Sequence, residues 1–176
     1  MALKLSHAFI NVADIDKVVP FYTDILGFQI TDRGQIGDDI AAVFMSQDPE
    51  NHHQIALAQT LKDGGATRNL GHVAFRMGTL ADLRALKRRL AEESVEVRRE
   101  ISHGNAWSLY FADPEGNGIE CFVDTPFHVS QPAGKPTDID LDDQALLSKT
   151  EMDFGGEPDF GAYDEWQERF RKTLTD

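Results

Sequence analysis

One cysteine, Cys121, stands in the whole 176-residue chain. A single thiol excludes an internal disulfide framework and fits a reducing compartment. Positive charge is also scarce: 17 Lys and Arg face 30 Asp and Glu, for a net charge of −13. Phosphates would be repelled by such a chain, so neither nucleic acid nor an anionic membrane surface is an expected partner. No long hydrophobic run exists, and no segment approaches the roughly 20 apolar residues that cross a bilayer. The opening Met1-Ala-Leu-Lys-Leu-Ser leads straight into a strand-like run, with no signal-peptide pattern. A cytoplasmic location is the expectation. The length suits one domain with a sizeable core and is too short for two full ones.

What is present is a repeat. His7-Ala-Phe-Ile-Asn-Val and His72-Val-Ala-Phe-Arg-Met each begin with His, 65 residues apart. The tripeptide Asp-Pro-Glu occurs at 48–50 and again at 113–115, with the same offset of 65. Two unrelated signals at one offset point to an internal duplication.

The first copy reads β-α-β-β-β. Strands are expected at 3–12, 28–33, 39–47 and 53–59, with a helix over 14–26 that Asp14 caps and Gly27 stops. Pro20 falls inside that helix and predicts a kink or a loose turn. A polar linker over 61–69 follows. The second copy repeats the order: strand 70–77, helix 79–93 capped by Thr79, then strands near 95–101, 106–112 and 118–124. The expected division is thus paired modules over 1–125 (1–60 and 70–125), then an extension over 126–176. That extension begins as a Pro-rich arm over 126–138 and continues as helices over 140–149 and 160–174. Residues 131–176 carry −7 of the charge. Tyr163, Trp166, Phe170 and Leu174 form an apolar stripe on the last helix, expected to dock on the domain or on a partner subunit, so a homo-oligomer is a candidate state.

Glu120 stands in the apolar run Gly-Ile-Glu-Cys-Phe-Val. Strand alternation places it on one face with Gly118 and Phe122, and Cys121 on the other. The position 65 residues earlier is Ile55, so the first copy lacks the carboxylate. A lone His at a strand start is usually a half-buried polar residue, and a lone Glu usually faces solvent. Glu120, however, sits where a buried carboxylate needs a partner or a metal. Together with the repeat, His7, His72 and Glu120 make a candidate facial triad with open positions, a set suited to non-haem Fe(II). His53 shares a face with Ile55 and is a candidate acid/base, while His52 should point outward. His103 and Tyr110 are further candidates. His128, in the arm, reads as structural.

These residues resemble the vicinal oxygen chelate superfamily, also called the glyoxalase/bleomycin resistance/dioxygenase superfamily, and within it the one-domain type I extradiol ring-cleaving dioxygenases. The family's strand-opening histidines and late Glu are matched by His7, His72 and Glu120. Its acid/base context is matched by His53-Gln-Ile-Ala-Leu, its second histidine by His103-Gly104-Asn105, and its Tyr before an Asp-Pro turn by Tyr110-Phe-Ala-Asp113-Pro114. The resemblance covers about residues 3–125.

It implies an α+β fold of two tandem βαβββ modules pairing into a curved, barrel-like mixed sheet around a metal site, with a C-terminal arm and two helices. It also implies Fe(II), with Mn(II) as the alternative, an aromatic diol and O2 as substrates, and a muconic-semialdehyde type of product. His53, His103 and Tyr110 would be catalytic, and the pocket would depend on the tail or a partner chain. Two other readings stay open: a metal-dependent lyase or isomerase of the same fold, and a metal-free small-molecule binding protein.

Overall fold

The computed structural model describes residues 4–61 and 70–174. Of the expected linker over 61–69, residues 62–69 lie outside the described residues. The chain divides into two compact units, one of Met1–Val73 with Ala112–Ile119, the other of Ala74–Phe111 with Glu120–Asp176. Among the described residues no helix is long and apolar enough to cross a membrane.

In the first unit, β1 (Ala8–Val12) leads to α1 (Ile15–Pro20). Asp14 caps α1 as expected, its carboxylate accepting from the N–H groups of Asp16 and Lys17, both at 3.1 Å. Pro20 ends the regular helix. It supplies no N–H and crowds the preceding turn, and the chain continues as a π turn over Phe21–Ile25, closed by Leu26 N–H donating to Phe21 O at 3.1 Å. Gly27, at φ +82°, then turns the chain. Three strands follow: β2 (Gln29–Ile36), β3 (Ile40–Ser46) and β4 (Ile55–Gln59). Their order in the sheet is β1-β4-β3-β2, with β1 parallel to β4 and the other pairs antiparallel. Ile15, Val18, Val19, Phe21 and Tyr22 of the helical segment are buried, as are Val43 and Met45 of β3 and Ile55 and Leu57 of β4.

The second copy forms β5 (Val73–Arg76), α2 (Leu80–Glu92), β6 (Arg99–Ser102), β7 (Ala106–Ala112) and β8 (Gly118–Asp124). Its sheet order, β5-β8-β7-β6, repeats that of the first copy strand for strand. Thr79 caps α2 by accepting from Asp82 N–H at 3.1 Å, and Leu83, Leu86 and Leu90 are buried. The repeated Asp-Pro-Glu proves to be turn chemistry. Asp48 accepts from Glu50 N–H at 3.0 Å, and Asp113 from Glu115 N–H at 2.9 Å.

The fold is α+β with a duplicated βαβββ order, as the sequence suggested. The strands do not close into a barrel; they form separate four-, five- and two-stranded sheets. Several boundaries also move. The first strand starts at Ala8 and the fifth at Val73, and β6 starts at Arg99.

In the extension, β9 (Phe127–His128) pairs with β11 (Gly161–Ala162), and β10 (Lys135–Pro136) adds to the β6 edge. The helices shift to α3 (Asp143–Phe154) and α4 (Tyr163–Thr173). α3 buries Leu146, Thr150 and Phe154, and Thr150 Oγ1 accepts from Trp107 Nε1–H of β7 at 2.9 Å. Lys87 on α2 bridges to Asp140 of the tail at 2.7 Å and to Glu100 of β6 at 2.6 Å, and the Glu100 carboxylate also accepts from Ile139 N–H of the tail at 3.1 Å.

Candidate active site

Each unit carries one set of the candidate residues. In the first unit, the parallel register sets Ala8 against Ile55, and Ala8 N–H donates to Gln54 O at 3.0 Å. That register brings the residues just before both strands together. The rings of His7 and His53 lie 4.4 Å apart between centroids, and Phe44 of β3 meets the His53 ring at 5.1 Å.

His52 is exposed, as alternation suggested, but it also has a role that alternation did not disclose. Its Nε2 lies 3.0 Å from Asp32 Oδ2, and its Nδ1 lies 3.0 Å from His53 Nδ1. A carboxylate only accepts, so His52 Nε2 carries hydrogen and, in the neutral ring, Nδ1 accepts. His53 Nδ1 is then the donor, and its Nε2 keeps a lone pair. Desolvation, then the charges of His7 and His52, lower the pKa of His53 below the ordinary imidazole value. A neutral ring with a free lone pair can take a proton near neutral pH.

His72, exposed, immediately precedes β5. A side chain at Gly118, the first residue of β8, would meet Gly71 O at 2.3 Å and His72 Cβ at 3.2 Å. The close approach of the chain beside His72 therefore requires glycine there.

In the second unit, three groups form a row. His103 Nε2 lies 2.8 Å from Tyr110 Oη, and Tyr110 O–H donates to Glu120 Oε1 at 2.7 Å. The other ring nitrogen, His103 Nδ1, lies 2.6 Å from the carbonyl of Ala133, which fixes it as the donor. Glu120 is only 9% exposed. Burial, then the Glu120 carboxylate, raises the Tyr110 pKa far above the ordinary phenol value, so the hydroxyl stays protonated.

The row lines a cavity of about 340 Å³. Glu120, Phe122 and Asp124 all face it, in the alternation expected of β8. Cys121 faces away, and burial followed by the Glu120 charge pushes its thiol up to about 12.

The tail completes this cavity. Gln131 and Tyr163 line it, and Gln131 Nε2 donates to the His103 carbonyl at 2.9 Å. Arg76 lies on the wall too, 5.5 Å from the Phe122 ring and 3.4 Å from Asp124. The resemblance implied that the tail could contribute to the pocket, but residue spacing did not place Arg76, Gln131 or Tyr163 there, because each reaches the cavity through the sheet order or the path of the tail.

The comparisons with known proteins identify the family. Residues 4–121 match the family described as the Glyoxalase/Bleomycin resistance protein/Dioxygenase superfamily. The chain belongs to that superfamily. Among curated superfamily members, it is 31% identical over 126 residues to biphenyl-2,3-diol 1,2-dioxygenase 3 of Rhodococcus globerulus, a match covering 69% of this chain and 63% of that one. It is 27% identical over 168 residues to biphenyl-2,3-diol 1,2-dioxygenase 2 of the same organism, with 85% of each chain covered. A glyoxylase/bleomycin resistance protein/dioxygenase domain from Frankia sp. EAN1pec has a similar structure, with a TM-score of 0.60 and 25% identity, over 71% of this chain and 100% of that one.

The donor types of His7, His72 and Glu120, two imidazoles and a buried carboxylate, suit Fe(II) or Mn(II). His7 and His72 belong to the first unit and Glu120 to the second. Among the described residues no group of three or more His, Cys, Asp or Glu side chains is placed to hold a metal ion.

Proposed function

We propose that this chain is an Fe(II)-dependent extradiol dioxygenase that opens the ring of an aromatic diol with O2, beside the two hydroxyls. The observation that carries the reading is the row His103–Tyr110–Glu120 lining one cavity. It occurs in a chain similar to two named diol dioxygenases.

His7, His72 and Glu120 would hold the metal. When bound, Fe(II) supplies one centre at which diol and O2 are held together and electrons can pass from ring to oxygen. The remaining chemistry falls to side chains. A diol must lose a proton to bind as an anion, and the lone pair on His53 Nε2 is the acceptor. The Tyr110 O–H, which donates to Glu120 in this structure, would be released by a Glu120 engaged with the metal and, with His103 behind it, would donate to oxygen atoms on which charge develops. The product expected is a muconic-semialdehyde type of compound. Mn(II) is the alternative metal.

The lyase or isomerase reading would need a further donor at the Ile55 position, and Ile55 is a buried apolar residue of β4, 1% exposed. A metal-free binding protein would hold Glu120 through its hydrogen bond from Tyr110 alone, and metal analysis separates that reading from the first.

The test is oxygen uptake by protein loaded with Fe(II) in the absence of air, against a panel of one-ring and two-ring diols. Uptake with a yellow ring-opened product supports the proposal. Protein that binds one iron per chain yet consumes no oxygen with any diol refutes it.

A further inference from the structure

The cavity of the second unit has a charged end that the proposed chemistry does not use. Arg76 closes β5, and Met77 N–H, donating to Phe122 O at 2.7 Å, keeps that end beside β8. Arg76 lines the same cavity as the row His103–Tyr110–Glu120, and among the described lining residues it is the one Lys or Arg.

Two contacts pose its guanidinium. Nε lies 3.4 Å from Asp124 Oδ2, and Cζ lies 5.5 Å from the Phe122 ring centroid. Among the described residues, neither Nη of Arg76 meets an acceptor. The free edge presents two parallel N–H donors, a fork that fits the two oxygens of a carboxylate. Stability does not explain the arrangement. The arginine side chain is 62% exposed and bridges Asp124 through one nitrogen, and an exposed pair of that kind contributes little. Arg76 and Asp124 also cancel in charge, so the pair attracts no ion from a distance. What remains is a directed fork acting at close range. A cationic group would meet the guanidinium beside Asp124 and be repelled.

Spacing limits what can reach that fork. Phe122 lies two residues from Glu120, about 7 Å along β8. A ring seated at the row would reach Arg76 through a short substituent and not through its own hydroxyls. Phe122 and Tyr163 give such a ring an aromatic wall.

We propose that Arg76 determines the specificity of this cavity, and that the diol it selects carries a carboxylate on a short arm, received by the two Nη atoms. This rests on the reading of the chain as a diol dioxygenase, which places the hydroxyls at the end marked by Glu120.

Oxygen uptake by the Fe(II)-loaded full chain tests it. The substrates are 2,3- and 3,4-dihydroxyphenylacetate, each set against its uncharged methyl ester and against the corresponding aminoethyl diol. The wild type should favour one acid over its ester by about tenfold in kcat/KM, carried by KM. Arg76→Gln should bring that ratio close to one. Arg76→Lys keeps the charge and loses the fork, and should hold an intermediate ratio. Asp124→Asn frees Nε and should leave the acid preferred. Each ratio is read within one variant, so a general loss of activity does not imitate it. Equal kcat/KM for acid and ester in the wild type overturns the inference and leaves the proposed reaction standing. So does a preference for the amine, and so does an acid preference that survives Arg76→Gln. Absence of uptake with every diol overturns the reaction instead. Calorimetric titration of the same acids and esters without oxygen then decides Arg76 by itself. Tighter binding of the acid, lost in Arg76→Gln, supports the subsite, and equal binding overturns it.

Discussion

The two copies share one strand order and differ in what they place on it. At equivalent positions the first copy has His53 and Ile55, and the second has Gly118 and Glu120. The first therefore holds a candidate base beside a buried apolar residue, and the second a carboxylate beside an obligatory glycine. Their edges differ as well. Every residue of β2 is exposed, and β2 ends its sheet. Its counterpart β6 is covered by β10 of the tail. Duplication supplied one scaffold twice, and the candidate residues are divided between the halves. Exposed edges are usually shielded in some way; the tail shields one and in doing so builds the wall of the second unit's cavity.

The largest way to break this division is to remove the second copy's carboxylate. Glu120→Ala should abolish turnover and lower bound iron from one per chain, read by metal analysis; full activity would dismiss Glu120 as a ligand. The first copy's contribution should separate from the metal. His53→Ala is expected to reduce kcat by about 10²–10⁴-fold while iron content stays constant. Turnover equal to wild type would leave His53 without a catalytic part. Tyr110→Phe keeps the ring and loses the hydroxyl, and the expected cost is about 10²-fold in kcat. A change confined to KM would make Tyr110 a binding group alone.

Gly118→Ala probes the glycine that stands where the first copy has His53. The added carbon would fall 2.3 Å from Gly71 O, so about 1–3 kcal/mol of stability should be lost. Denaturant unfolding measures this, and an unchanged midpoint would show that β8 moves away freely.

The smallest effect lies in the tail, which the first copy lacks. Desolvation, then the Arg169 charge, hold the pKa of His128 below its ordinary value, partly offset by Asp159. The unfolded chain then takes up a proton near pH 6.5 that the folded tail resists. This cost is absent above about pH 6.5 and grows as pH falls through the folded-state value. Amide exchange in α4 should accelerate between neutral and mildly acidic pH in the wild type, and less so in His128→Phe.

Much of this was legible in residue spacing. The offset of 65 disclosed the duplication, and Asp14, Thr79 and Gly27 marked helix ends that the structure retains. Alternation along β8 correctly separated Glu120 from Cys121. Pro20 signalled a disturbance but not its form, because a kink, a stop and a π turn all answer the same missing N–H. The aromatic stripe of α4 was visible at once. That the unit would leave most of it uncovered was not, since periodicity reports an amphipathic face and not what meets it.

The sequence by itself determined the residue types at each strand start, the order of the strands and the asymmetry of Ile55 and Glu120. These depend on neighbours a few residues apart. Only the tertiary structure decided that His7 meets His53, that Tyr110 joins His103 to Glu120, and that Ala133 and Gln131 of the tail hold His103. The physical reason is register. Backbone hydrogen bonds between strands, and the tail segment that claims an open edge, set which distant side chains become neighbours, and a local pattern of apolar and polar residues carries no such information.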